Sequence, residues 1–481
     1  MERTLYDDFT YKGRWWVAGR SRKKFPGTLS YKAGEHLHLQ LDGWPDVRRF
    51  QKIPVIHGDI IDGTNVTLFD CFHGGISTGS SGLVEVHYTP MLCIFGVYFR
   101  QRKDVKFYTV RFRLTGMEAW IGVHPFDVND FRTLPIKPDP QVRVTPPKAI
   151  TIDVPRRRLS MKISPYIRPN EHAFTSVTVE HSSVIDLTPT KLILLKDATD
   201  FIEDCRKLFT LLIAKPVSVV SVAGGVKAAY RKPGNRKAEP DKKNVPCTII
   251  YPQTNQRANK DFEHGMMLPL RFTDDRFPQM FLKWFELLKT LRPVFDVFFG
   301  VFKTDVPLEL WFLSLSQVVE SYHRRSVGGL YMNRRSFDKI EKVTVSAIPA
   351  TVQEGLRSRM KNQIHYANEP SLRTRLTKIL EGLSDTERQI ICQNVGEFVA
   401  AVVGTRNYLT HLDEESDDPI LRDVPLYQAA TRLELLMFII FLKCLGIEAA
   451  KVLKVIKACH RFDLSPFKLQ SEDELYAKSH A

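Results

Sequence analysis

Two periodicities divide this chain. Through the first third, apolar and polar positions alternate: Leu37, Leu39 and Leu41 stand against His36, His38 and Gln40, and Val110, Phe112 and Leu114 stand against Arg111 and Arg113. A period of two sends successive side chains to opposite faces of a strand, so half-buried strands and a β-rich domain are predicted. Glycine-rich stretches, Gly74-Gly75 and Gly79-Ser80-Ser81-Gly82, separate the runs and read as turns or loops. They lack the Gly-Lys-Ser/Thr ending of a phosphate-binding loop. Near Asp197 the period changes, since Phe201, Cys205, Leu208, Phe209 and Leu212 fall at offsets of four, seven, eight and eleven, one face of a helix. Strand-like runs follow at Val217 to Val222 and Cys247 to Tyr251.

From about Pro307 the spacing is helical, over roughly 308–325, 350–368, 371–382, 385–411, 421–445 and 447–460. Such a set fits an antiparallel bundle with short connections. The expected class is α+β and multidomain: a β-rich N-terminal domain over 1–195, a mixed α/β middle region over 196–305, an all-α bundle over 306–465 and a C-terminal tail over 466–481.

A length of 481 residues exceeds what one hydrophobic core usually holds, so two or three domains are expected. A formal charge of +15 favours polyanions, though the excess is spread along the chain. Residues 223–244 concentrate seven Lys/Arg against two Asp/Glu. They read as a solvated loop, with RNA phosphate contact as the alternative. Seven scattered cysteines without Cys-x-x-Cys spacing indicate a reduced, cytoplasmic protein and no zinc site. The N-terminus lacks the apolar core of a signal peptide. The run Leu435 to Leu442 is bounded by Glu434 and Lys443, too short to span a bilayer and better read as a core helix, so no membrane partner is expected.

The segment Val402 to His411 brings chemistry onto an apolar helix. Val395, Val399 and Val402 recur at helical spacing, and Arg406 continues their stripe. A guanidinium is always charged, so this position points to a cleft or subunit seam that receives phosphate. The bland alternative is an arginine that snorkels out of a core helix, with His411 capping its end. Five residues on a straight helix rotate a side chain by about 140°, which separates Arg406 from His411. The acidic, proline-terminated run that follows, Asp413 to Pro419, predicts that the helix frays or ends near His411, so that the imidazole swings toward Arg406; a second copy across a two-fold axis is the other way to complete the site. Glu320 and His323, three residues apart, share a helix face. They read as supporting residues, Glu320 pairing with Arg406 or with Arg324. No second Glu-x-x-His accompanies them, so neither metal nor other cofactor is expected.

Arg406, Asn407 and His411 match in order the motif of the HEPN (higher eukaryotes and prokaryotes nucleotide-binding) ribonucleases: Arg, a polar residue, three further residues, His. The wider sequence resembles the ApeA group of bacterial anti-phage HEPN proteins, at Gly13-Arg14-Trp15-Trp16, at Phe25-Pro26-Gly27-Thr28-Leu29 and at Leu315 to Arg325. That resemblance implies a homodimer or higher homo-oligomer with its site where protomers meet. It also implies metal-independent cleavage of RNA, transfer RNA among the candidates, through 2′-hydroxyl attack giving a 2′,3′-cyclic phosphate. A β-rich part that restrains the nuclease or senses a phage-derived trigger, and an abortive-infection role, come with it. In this frame His411 moves the proton, Arg406 stabilises the phosphorane-like transition state and Asn407 binds phosphate or holds His411. The rival readings are a non-catalytic RNA- or nucleotide-binding bundle with a partner-binding β-rich domain, and a β-rich sensor with a merely structural bundle.

Overall fold

The computed structural model describes residues 3–43, 52–78, 84–129, 141–172, 176–227, 244–253, 265–273, 275–303, 306–412 and 418–468. The acidic run 413–417, the Gly-Ser stretch 79–82, most of the basic segment 223–244 and nearly all of the tail expected over 466–481 lie outside them. The chain forms two units, Met1–Pro278 and Gln279–Ala481.

The first unit is built on β1 (Phe9–Val17), β2 (Phe25–Tyr31), β3 (His38–Asp42), β4 (Lys52–Ile60), β5 (Asn65–Thr78) and β6 (Val84–Thr89). These pair antiparallel around a closed ring in the order β1-β2-β3-β6-β5-β4-β1. Closure removes the free edges that an open sheet would present. The alternation in β3 is that of a barrel wall: Leu39 and Leu41 are buried and His38 and Asp42 exposed. The segments Gly13 to Trp16 and Phe25 to Leu29 lie side by side, with Gly13 opposite Gly27 and Trp15 opposite Phe25. The Trp15 indole donates to the Gly27 carbonyl at 3.1 Å and occupies the space that a Cβ on Gly58 would need, 2.2 Å from that position.

Gly74-Gly75 does not separate two strands. It lies inside β5, where the register against β6 shifts between His73 and Gly75 and Gly75 takes φ +138°. A bulge of this kind bends a strand. The bend lets β5 serve two partners along one edge, β7 (Leu92–Phe95) with its first half and β6 with its second.

From β7 the same sheet continues outward through strands that come later in the chain. After β8 (Lys106–Leu114) come α1 (Met117–Ile121), the two-residue pair β9 (Phe126–Asp127) and β10 (Arg143–Val144), β11 (Ile150–Val154), β12 (Leu159–His172), β13 (Ser176–Pro189), β14 (Ile193–Leu194), α2 (Leu195–Ile213), β15 (Val219–Val226) and β16 (Val245–Ile250). The order runs β7-β16-β15-β8-β13-β12-β11, making fourteen strands in one sheet. The partition expected at residue 195 therefore gives way: β15 and β16 hydrogen-bond into the sheet of the N-terminal strands, and there is no separate middle region. The helix expected after Asp197 is α2, with Phe201, Cys205, Leu208, Phe209 and Leu212 all buried.

The second unit is helical: α3 (Phe277–Lys303), α4 (Leu308–Ser326), α5 (Arg334–Ser346), α6 (Glu354–Tyr366), α7 (Leu372–Glu381), α8 (Asp385–Gln389), α9 (Val395–His411), α10 (Asp423–Cys444) and α11 (Ala449–Cys459). The division between units falls in the first turn of α3. Phe295 and Phe298 of α3 meet Phe441 of α10 at 4.8 and 5.2 Å between ring centroids. Among the described residues α10 alone is long and apolar enough to cross a membrane, and 72% of its apolar window is buried in the protein; from Arg432 to Leu442 it is buried on every face. Two expectations change here. The helix expected over 385–411 is two, α8 and α9, with Asn394 capping α9 by accepting from the Glu397 N–H. A further helix, α5, stands where none was expected; Phe337 is its buried residue.

Candidate active site

The site residues stand on α4 and α9, which contact each other and α7. In α9 the inner face is Phe398, Ala401, Val402 and Thr405, all buried. Arg406 does not continue that stripe. It lies at its edge, with 37% of the side chain exposed. Its Nη1 donates to Asn407 Oδ1 at 3.1 Å, and its Nη2 stands 3.8 Å from Glu320 Oε2. At that distance the pair is a loose one, which a phosphate can displace.

The helix does not fray before His411. It runs through it and stops on Leu412, whose φ of +55° and N–H to the Tyr408 carbonyl make a left-handed C-cap. Arg406 and His411 therefore keep the separation of about 140° that five helical residues impose, and the expected swing of the imidazole toward Arg406 is not seen. His411 is exposed and, among the described residues, has no hydrogen-bond partner. Asn407, one turn earlier, lies on His411's side of the helix while its carbonyl oxygen accepts from Arg406. It links the two sides.

Behind the site, charged side chains of α4 continue into a chain with residues that sequence spacing does not connect to it. Glu320 accepts from Arg324 at 3.0 Å, Arg324 also stands 3.3 Å from Glu369, and Glu369 lies 3.9 Å from Arg375. Glu320 thus takes both partners expected for it, Arg324 closely and Arg406 loosely. Arg375 is buried, and its Nη1 reaches His323 Nδ1 at 3.1 Å. A guanidinium only donates, so Nδ1 accepts and neutral His323 carries its proton on Nε2. Burial, then the positive charges of Arg375 and Lys378, holds the His323 pKa below its ordinary value. Glu320 and His323 consequently diverge: the carboxylate turns to Arg324 and Arg406, the imidazole into the packing with α7. Arg375 and Glu369 are not legible in the sequence, because they meet α4 from 45 to 55 residues away in a way no periodicity signals.

Asp418 to Leu421 are fixed against α9. A Cβ on Gly404 would stand 2.6 Å from Asp418 Cβ and 2.7 Å from the Pro419 carbonyl. The Leu421 N–H donates to Thr405 Oγ1 at 2.8 Å, and Asp418 pairs with Arg373 of α7. Asp418 to Leu421 are thereby anchored against Gly404 and Thr405, about two turns before His411.

A closed barrel extended into one large sheet, followed by a helical bundle that ends a core helix on Arg-x4-His, defines a two-part HEPN protein. The chain belongs to the ApeA family: ApeA N-terminal domain 1 matches residues 10–284, and an ApeA-like HEPN domain matches residues 313–451. The second match contains Glu320, His323, Arg406, Asn407 and His411, and the two together support an anti-phage defence protein. Comparison with curated proteins and with solved structures gave no match.

Proposed function

We propose that this protein is a metal-independent endoribonuclease whose activation depletes host RNA and aborts phage infection. The observation that carries the reading is the end of α9, where a half-exposed guanidinium, an amide bonded to it and an exposed imidazole fall within six residues of an ApeA-like HEPN domain; HEPN domains are usually ribonucleases. His411 accepts the proton of a ribose 2′-hydroxyl as that oxygen bonds to the adjacent phosphorus. The bond from phosphorus to the 5′-oxygen breaks, and the leaving oxygen is protonated. Arg406 stabilises the extra charge on the non-bridging oxygens, and Asn407 orients the phosphate or the imidazole. Transfer RNA is a candidate substrate. Because one α9 turns Arg406 and His411 apart, the working site uses two copies of the chain, a homodimer or larger homo-oligomer whose α9 termini face each other.

Purified wild type, Arg406→Ala and His411→Ala, each checked for folding by circular dichroism, are incubated with total cellular RNA in EDTA, with and without phage lysate, and cut sites and ends are mapped. Site-limited cuts with cyclic-phosphate ends are expected, reduced by about 100-fold or more in both variants. The separation of Arg406 from His411 favours one alternative, a bundle that binds RNA without cutting it. Cleavage absent in every condition, with RNA binding lost only in Arg406→Ala, selects that alternative.

A further inference from the structure

On the face of the first unit's sheet, outside the barrel, lies a cavity of about 660 Å³ that the HEPN chemistry does not use. One register row crosses it: Lys162 opposite Asp186, Asp186 opposite Arg111, Arg111 opposite Ala223, Ala223 opposite Thr248 and Thr248 opposite Phe95. Residues at matched positions of paired strands share a face. The depression is therefore written into the sheet. On β15 the cavity is floored by Ala223, Gly224 and Gly225, while the flanking strands raise long or polar side chains around them.

The rim carries Arg3, Arg111 and Lys162 and is rich in hydrogen-bond donors. Arg111 and Asp186, the one carboxylate of the lining among the described residues, are joined by two bonds at 2.7 and 3.1 Å and neutralise each other. Lys162 is exposed and, among the described residues, forms no ion pair. At the other end the Arg3 guanidinium stands 4.4 Å from the Phe95 ring centroid, donates to the Tyr11 hydroxyl at 3.2 Å and pairs loosely with Asp62 at 3.5 Å. Guanidinium planes stack on nucleic-acid bases. Thr64, Thr109, Thr188 and Thr248 add hydroxyls. Asn244 Oδ1 accepts from Thr109 at 3.2 Å, so its NH2 remains to donate. A Cβ on Gly225 would stand 1.6 Å from that Oδ1; glycine is what lets the Asn244 amide lie over the strand. Three strand steps separate Arg111 from Phe95, on the order of 14 Å, a gap that a nucleoside with two or three phosphates fills.

We propose that this cavity binds a nucleotide, its phosphates at Lys162 and Arg111 and its base against Arg3. The volume lies inside the range of small-ligand sites, and a few convergent polar groups on a small-residue floor are their usual construction. ATP, GTP, ADP and inorganic phosphate are titrated calorimetrically into the full chain, with Lys162→Glu, Ala223→Leu and Arg406→Ala alongside, each checked by thermal unfolding. One of the nucleotides is expected to bind saturably, about tenfold or more tighter than inorganic phosphate. Lys162→Glu weakens that binding by about tenfold or more, Ala223→Leu blocks it by filling the floor, and Arg406→Ala binds as wild type. Lack of saturation by any nucleotide, equal affinity for inorganic phosphate, indifference to Lys162→Glu, or loss in Arg406→Ala each overturns the proposal. The outcome is independent of whether the HEPN unit cleaves RNA.

Discussion

Gly404 is small because another part of the chain passes over it. Alanine there places a methyl group against Asp418 and the Pro419 carbonyl, so Gly404→Ala is expected to lower stability by about 1–3 kcal/mol and to displace Asp418 and Pro419. Thermal unfolding measures the loss; unchanged stability sinks this reading of the contact. Glu387 makes a second residue-scale case. It is fully buried, takes the Ser384 N–H and hydroxyl, and pairs with Lys443 at 3.0 Å. Burial alone raises its pKa, but the bonds from Ser384 and Lys443 outweigh burial and hold it below the usual carboxylate value. A depressed acid contributes stability above its unfolded pKa and loses it as pH falls through the folded one. Glu387→Gln is therefore expected to cost about 1–3 kcal/mol at neutral pH, with the gap to wild type closing below pH ~4. Denaturant titration across pH measures it, and a pH-independent gap contradicts it. At this scale the sequence made the Arg406, Asn407 and His411 order plain and pointed to both partners of Glu320. It did not reveal that Arg406 sits at the edge of the buried stripe, because Thr405 takes the inner position by bonding Leu421, sixteen residues on.

Among elements, α4 is the one whose two marked residues serve different neighbours, and pH separates them. His323 is held neutral by burial and by Arg375 and Lys378. A base with a depressed folded pKa binds fewer protons folded than unfolded, so its contribution is complete above the unfolded value of about 6.5 and declines as pH falls through the folded one. His323→Asn keeps an acceptor for Arg375 but does not titrate. Its stability is expected to fall less than that of wild type between pH 6.5 and pH 5, measured by chemical denaturation, and parallel curves refute the assignment. The split of the expected 385–411 helix into α8 and α9 has a cause of the same reach. Ile391 and Gln393 exchange backbone hydrogen bonds with Phe467, so a strand-like contact from the far end of the bundle holds the intervening turn open. In α5, Phe337, Ile340 and Val343 recur every three residues, a helical spacing, with Phe337 buried and Ile340 and Val343 exposed.

For the whole molecule, a site shared between copies has a concentration signature. Sedimentation velocity of the full chain is expected to give two chains or more, and RNA cleavage to fall faster than linearly on dilution into the dissociating range; activity proportional to concentration among monomers contradicts a shared site. Sequence by itself determined the strand-rich first part, the helical second part and the order of the charged groups on the α9 helix, because these are written in side-chain period and local spacing. Tertiary structure decided the rest: the closure of β6 onto β3 and β5, the entry of β15 and β16 into the N-terminal sheet, the placing of Arg375 against His323, and the row of residues from six strands that shapes the sheet cavity. Each joins segments tens to more than a hundred residues apart. A hydrophobic pattern states which face of an element is buried and leaves open which other element buries it.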